Sequence, residues 1–458
     1  MMDDEKMPPC MSLLQLPDEL LLEIMRHLDS LRASEPQAIA MSKLKEERKR
    51  QSINQERRLA LHSLCLTSRR LRRIATPVLY ASFTSTSTWK GMEHLTLFHR
   101  TISTEVHLGE HRSPFSKYVR YIENRFSDHL GNNLYDETEE YDTIQMIARY
   151  FYLLAEIVKL APNLQHLCVV SLDTEDMSFW QFILPPALAV DPAIEHAGVS
   201  HVSFSKLETL CFQVNTSSYR HNTRNDWYAR IVLTMKSAPL LKEVQVCGIE
   251  SDDDPSAASA TSFVPFKQLR RLDITKCFLK IEEVVDLWRA CEGLRHVTCE
   301  WSYLDCMTEP PFGLVPGLLN HAETLETLRL DLREVRLDLP RPPKRLFNSF
   351  RAFINLQSLT ICERFTSDDH YTWEGRIADL LPVSLESLTI LRYEDGLFEF
   401  GCHDDRTRNL RHLAEDCPTA LPRLKYVAVH DFLEFHASEL RCLFSDAGVQ
   451  FVIVRETL

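Results

Sequence analysis

One pattern recurs along most of this chain and limits what it can fold into. An apolar residue is followed by two variable ones, an apolar, one variable and another apolar. It reads NLQHLCV from Asn163, KLETLCF from Lys206, LLKEVQV from Leu240, QLRRLDI from Gln268 and GLRHVTC from Gly293. It returns as TLETLRL from Thr324, NLQSLTI from Asn355, SLESLTI from Ser384 and RLKYVAV from Arg423. YVRYIEN from Tyr118 and GVQFVIV from Gly448 are weaker ends. The last two apolar positions alternate, so they share one face of a short strand. Leu272 and Ile274 point one way, and Arg271, Asp273 and Thr275 the other. A single unit cannot bury its apolar side, but roughly ten or eleven of them, stacked, build a continuous core on a parallel sheet.

Helix-like runs lie between the strands. YDTIQMIARYFYLLAEIVKLAPNL places Ile144, Ile147, Ala148, Phe151, Leu154, Ala155 and Val158 at helical spacing, and Pro162 stops it. NDWYARIVLTMKSAP, IEEVVDLWRACEGL, EGRIADLLP and SELRCLFSDAG repeat the idea. Helix, short break and strand in succession predict a right-handed α/β solenoid. SDDDPSAASATS, residues 251–262, is small, polar and acidic, and reads as a flexible loop inside one unit. LRRLDITKC, Leu269 to Cys277, matches the pattern LxxLxLxxN/C in full, with Cys277 in the polar position. From about Val119 onward the chain resembles a leucine-rich repeat domain. Most other copies keep the three apolar positions and lose the Asn or Cys, so the resemblance implies an irregular solenoid.

The amino-terminal zone is different. LLQLPDELLLEIMRHL, from Leu13, puts Pro17, Asp18 and Glu19 at the start of a helix, where a missing N–H and carboxylates are both suited. Its leucines exceed what one core-facing stripe needs. LALHSLCLTSRRLRRIATPVLYASF, from Leu59, carries Leu61, Leu64, Cys65, Leu71, Ile74 and Ala75 as a helical stripe. Arg69, Arg70, Arg72 and Arg73 are expected on its solvent side, near the helix's carboxyl end, with Pro77 ending the run.

Together these two stretches resemble the F-box, and the second resembles fungal F-box proteins in which leucine-rich repeats follow. The resemblance implies a small all-α F-box at residues 13–83, a connector at 84–116 and the solenoid at 117–458. It implies docking on the Skp-family linker protein, and through it a cullin–RING ligase. The residues that would dock are Leu16, Pro17, Leu20, Leu21, Ile24, Leu28, Leu61, Leu64, Cys65, Leu71, Leu79 and Tyr80. The chain departs from the family in a charged insert at about residues 30–58, which includes KLKEERKRQSINQERR. A solvated extension of one or both flanking helices is expected there, with Glu46 and Arg50 at favourable spacing, and a nuclear-localisation or partner-binding patch is the alternative. Two amphipathic helices would also serve simply to cap the open end of a solenoid.

Composition narrows the function. The net charge of −13 argues against a nucleic-acid partner. Glycine is scarce, 12 in 458, and no GxxxxGK[ST] or GxGxxG occurs, which argues against nucleotide-binding folds. No HExxH or GxSxG is present, so no enzyme, metal or cofactor is expected. GCHDDR, residues 401–406, reads as a polar loop, and His94 and His99 as surface decoration. Thirteen cysteines without a CxxC pair suggest buried thiols in the cytoplasm or nucleus. The first residues, MMDDEKMPPC, lack the basic region of a secretory signal, and no run of about 18 apolar residues predicts a membrane span.

The outward row of strand residues is the expected target surface. It includes Arg271, Asp273, His296, Glu300, Arg329, Asp331, Tyr426 and His430, with Trp301, Tyr303 and Tyr393 as nearby anchors. The resulting expectation is a substrate-recognition adaptor of an SCF-type ubiquitin ligase, with no catalytic residue of its own. A leucine-rich scaffold or receptor without a ubiquitin role is the alternative.

Overall fold

The computed structural model describes residues 15–33, 39, 43–85, 88–103, 115–125, 141–172, 179–185, 204–215, 227–251, 265–302, 304–305, 313–336, 349–362, 376–392, 402–430 and 437–455. The chain divides into two compact units, Met1–Ile183 and Leu184–Leu458. Of the loop at 251–262 only Ser251 falls within the described residues, and Tyr303 and Tyr393 fall outside them.

The first unit begins with three helices: α1 (Asp18–Arg26), α2 (Leu44–Thr67) and α3 (Arg69–Leu79). Then follow β1 (Ser82–Ser85), α4 (Thr88–Ser103), β2 (Tyr121–Asn124), α5 (Tyr141–Leu160), β3 (His166–Leu172) and α6 (Phe179–Ile183). β1, β2 and β3 pair in parallel, and Phe83, Ile122 and Leu167 form one buried row across them. On that same side Tyr150 of α5 donates its hydroxyl to Asn124 Oδ1 at 2.7 Å.

Three expectations for this zone are corrected. The helices do not form a small all-α domain ahead of a solenoid. α3 runs within two residues into β1, and the helices share one compact unit with three parallel strands. Second, the stretch from Leu59 is not one helix. Ser68 adopts extended backbone between α2 and α3, and its hydroxyl caps α3 by accepting from the Leu71 N–H at 3.1 Å. The arginines at 69, 70, 72 and 73 therefore sit at an amino end. Third, Pro77 does not end the run: it lies inside α3, which continues to Leu79 although Pro77 has no N–H to give the Arg73 carbonyl.

The second unit contains β4 (Thr209–Asn215), α7 (Trp227–Ser237), β5 (Glu243–Cys247), β6 (Arg271–Cys277), α8 (Ile281–Arg289) and β7 (His296–Trp301). It continues with β8 (Leu304–Asp305), α9 (Leu314–Leu318), β9 (Thr327–Asp331), β10 (Val335–Arg336), β11 (Ser358–Cys362) and β12 (Ser387–Leu391). α10 (Cys402–Ala420), β13 (Tyr426–His430), α11 (Ala437–Asp446) and β14 (Gln450–Val454) complete it. The main strands pair in parallel in the order β4, β5, β6, β7, β9, β11, β12, β13, β14. β8 and β10 form a separate short parallel pair. Among the described residues the fold is α/β, with twelve main strands all parallel and eleven α-helices. Such a sheet is compatible with a solenoid of stacked units.

The repeat pattern explains the core. Leu210, Val244, Leu272, Val297, Leu328, Leu359, Leu388, Val427 and Phe451 stand in register, one per strand, and all are buried. Two residues on, Phe212, Val246, Ile274, Cys299, Leu330, Ile361, Ile390 and Val429 repeat the row. A charged residue stands just before most of this unit's main strands, with Gln357 before β11 and Val449 before β14 as exceptions, and neighbouring turns pair: Glu208 with Lys242, Arg295 with Glu326, Glu386 with Lys425. Two local expectations change. EGRIADLLP supplies only a 3-10 turn, Ile377–Leu380, and the stretch read as a polar loop around Cys402 begins a helix, α10.

Candidate protein-docking site

The insert is fastened to the first unit. Its described part, from Lys43, belongs to the helix that follows it rather than to α1. Arg50 does not pair with Glu46 as its spacing suggests. Its guanidinium holds both oxygens of Glu123 on β2, the side chain of Glu47 and the carbonyl of Leu31. Glu123 has no accessible surface and also accepts from the Tyr121 hydroxyl. Arg125 reaches Glu47 at 3.1 Å. Burial raises the pKa of Glu47, but hydrogen bonds from Arg50 and Gln51 outweigh it and hold the carboxyl below its ordinary value. Next to this network the buried Asn54 reads the Leu31 backbone with both ends of its amide. It accepts from the Leu31 N–H at 2.7 Å and donates to the Leu31 carbonyl at 3.1 Å. The inner face of the extension is thus a clamp, not solvated helix.

α1 shows three different sides. Leu21 and Met25 are buried against Leu61, Leu71, Ile74, Ala75 and Val78. On one flank Leu22 joins Ile74, Pro77 and Val78 as the floor of a groove of ≈ 400 Å³, rimmed by Glu19, Arg26 and Arg120 among others. On the opposite flank Leu20 is 52% exposed and Ile24 43%, one turn apart. The start of α1 is pinned by α3. Arg70 Nε donates to Asp18 Oδ1 at 2.7 Å, and Arg73 to Asp18 Oδ2. The Arg70 hydrogen bond, helped by both positive charges, holds the Asp18 carboxyl below its ordinary value. That carboxylate also answers the unfavourable placing of four arginines at an amino helix end.

The twelve residues expected to meet the linker protein fall into three groups. Leu20, Ile24 and Pro17 are exposed; Leu16, Leu28, Leu64, Cys65, Leu79 and Tyr80 are half-buried; Leu21, Leu61 and Leu71 are buried. Tyr80 is committed to packing within the unit, with ring centroids 4.7 Å from Phe115 and 6.3 Å from Phe98. Sequence reasoning missed Leu59 and Leu66, 58% and 74% exposed on the outer side of α2. The seven-residue spacing between them was the available signal.

In the second unit the outward side chains of the sheet also form rows. One runs Thr209, Glu243, Arg271, His296, Thr327, Ser358, Ser387, Tyr426. The next runs Cys211, Gln245, Asp273, Thr298, Arg329, Thr360, Thr389, Ala428. Of the eight expected contact residues Arg271 is exposed, His296, Glu300, Arg329, Tyr426 and His430 are half-buried, and Asp273 and Asp331 are buried. Much of their charge is already used. Arg271 donates to Asp273 at 2.6 Å, Arg329 and Arg333 both hold Asp331, and His296 Nδ1 lies 2.9 Å from Thr327 Oγ1. Burial, then the charge of Asp331, pushes the Glu300 carboxyl above its ordinary value. Trp301 is not an anchor on this face. It is buried, and its indole donates to the Leu279 carbonyl at 2.9 Å. Serines and threonines on β11 and β12, unremarked in the sequence, make the least charged part of the face.

Among the described residues no three His, Cys, Asp or Glu side chains are grouped to hold a metal ion. No helix among them is long and apolar enough to cross a membrane. The chain matches no protein-family model and no curated protein.

Proposed function

We propose that this protein is a substrate-recognition adaptor of an SCF-type cullin–RING ubiquitin ligase. Leu20 and Ile24 of α1, with Leu59 and Leu66 of α2, dock on a Skp-family linker protein. The outward rows of β6 to β13 receive a target protein. The adaptor works by holding the target near a ubiquitin-conjugating enzyme, which replaces a chance encounter by a positioned one. The observation that carries this reading is the side of α1 bearing Leu20 and Ile24. Leu21 and Met25 already anchor the helix to its unit, and Leu20 and Ile24 lie outside that core with about half their surface exposed, which suits a partner's apolar surface. The Leu-Pro start and the F-box-like order of Leu16, Pro17, Leu20 and Ile24 support the same partner.

Co-purification of the full chain with a recombinant Skp-family linker tests it. Wild type is expected to form a stable complex, and Leu20→Asp/Ile24→Asp to lose it without loss of helical content. A wild-type chain that ignores the linker, while still capturing a target, would make the protein a scaffold without a ubiquitin role.

A further inference from the structure

We infer that the insert is a docking arm that extends the linker-binding surface and meets an acidic segment of that partner. The inference rests on the proposed linker docking and adds the chemistry of the contact. The inner side of α2 is fixed by Arg50, Asn54 and Arg57, the last donating to the Asp29 carbonyl at 2.6 Å. The outer side is therefore presented in a set orientation within its unit. Lys45, Ser52, Leu59 and Leu66 recur every seven residues, with Arg48, Gln55 and His62 between them, and all seven are exposed. This spacing places them on one stripe, about 32 Å long at the helical rise.

The stripe changes character along its length. Leu59 and Leu66 make the carboxyl half apolar. Lys45 and Arg48, flanked by exposed Lys49, make the amino half basic, and none of these three cations has an ion-pair partner among the described residues. Glu46 is exposed too, but a hundred-degree step per residue turns it off the stripe. Between Leu59 and the basic end lie the exposed Ser52, Gln55 and Glu56, the last also on the stripe, so a partner seated on Leu59 and Leu66 reaches the three cations about 15 Å farther along the helix. In a chain of net charge −13 such an island selects an acidic surface. The apolar half and the overall negative charge favour a protein over a nucleic acid.

Titration calorimetry of the full chain against recombinant Skp-family linker protein is the test. Lys45→Glu/Arg48→Glu/Lys49→Glu is expected to weaken binding about tenfold at about 50 mM salt, and the gap to close at about 500 mM. The Lys45→Gln/Arg48→Gln/Lys49→Gln variant, gentler on the helix, is expected to weaken it about threefold at low salt. Either variant, folded by circular dichroism and binding as wild type at low salt, overturns the arm while linker docking stands. Failure of wild type to bind overturns both. A duplex DNA shifted by wild type and not by the reversed variant would hand the basic end to nucleic acid and also overturn the inference.

Discussion

Arg50 and Glu123 lie 73 positions apart and meet fork to fork, the guanidinium of one spanning both carboxylate oxygens of the other. The carboxylate has no accessible surface, so it depends on that partner. Removing one side of a buried ion pair strands the other charge. Arg50→Ala is expected to cost about 3 kcal/mol or more in urea unfolding of the first unit. Amide exchange at Leu31 and Ala33 should quicken with it, because Glu123 and Arg50 bind that segment. Replacing both partners, as Arg50→Met/Glu123→Gln, should cost less than Arg50→Ala alone. A double variant weaker than the single one would show that the pair is not what holds the clamp.

The same network gives the unit an acid limit. The folded pKa of Glu47 lies below its unfolded value, so its contribution is complete above about pH 5 and fades as pH falls through the folded value, below about pH 4. Glu47→Gln should remove that part of the acid sensitivity. Unfolding midpoints of the two proteins that stay parallel from pH 6 to pH 3, taken as about those limits, would refute it.

On α1, two neighbouring leucines should behave oppositely. Leu21→Ala opens a cavity among Leu61, Leu71 and Ile74, and should destabilise by about 3 kcal/mol. Leu20→Ala should change stability by less than about 0.5 kcal/mol, since half its surface is already in water. Thermal unfolding of both variants, together with linker binding, separates packing from docking.

His321, fully buried, is locked as one neutral tautomer. Its Nδ1 accepts from the Gly293 and Leu294 N–H groups, and its Nε2 donates to the Trp288 carbonyl. Burial lowers its pKa, although the Trp288 contact opposes that shift. The unfolded chain therefore takes up a proton first. Stability of the second unit should be full above about pH 7 and decline as pH falls below about 6.5. His321→Gln should flatten this slope in melting curves recorded between those limits. An equally steep slope in the variant would place the sensitivity elsewhere.

Lys276 adopts φ 49°, the left-handed region, where the register of β6 slips against β7. Gly tolerates that backbone without Cβ crowding. Lys276→Gly should leave the fold intact and raise stability by about 0.5 kcal/mol, net of the added freedom of the unfolded chain. A lowered melting temperature would mean that the lysine side chain holds the bulge.

What could be read from the sequence was what alternation dictates. Leu272 and Ile274 face the core and Arg271 and Asp273 the other side because strand geometry leaves no choice. The same rule points Trp301 inward, in step with Val297 and Cys299, and it was the aromatic type that suggested an anchor. The break at Ser68 was hidden because neither Gly nor Pro marks it, and a serine followed by arginines also reads as continuing helix. The clamp was unreadable because no local pattern links α2 to a glutamate beyond β1. On α1, Leu20 and Ile24 stood out as surplus apolar residues. Tyr80 did not show its commitment to Phe115, since half-buried packing across a unit leaves no periodic trace.

In the second unit each main strand pairs with the main strands before and after it in the chain, with β8 and β10 set aside. Structure can therefore spread along the chain one unit at a time, from whichever unit orders first, because no distant segment must be found. Injury should be equally local. A defect at Leu359 would disturb its contacts with Leu328 and Leu388 and leave Leu210 and Val244 to pair as before. A face assembled in this way can alter its chemistry one strand at a time.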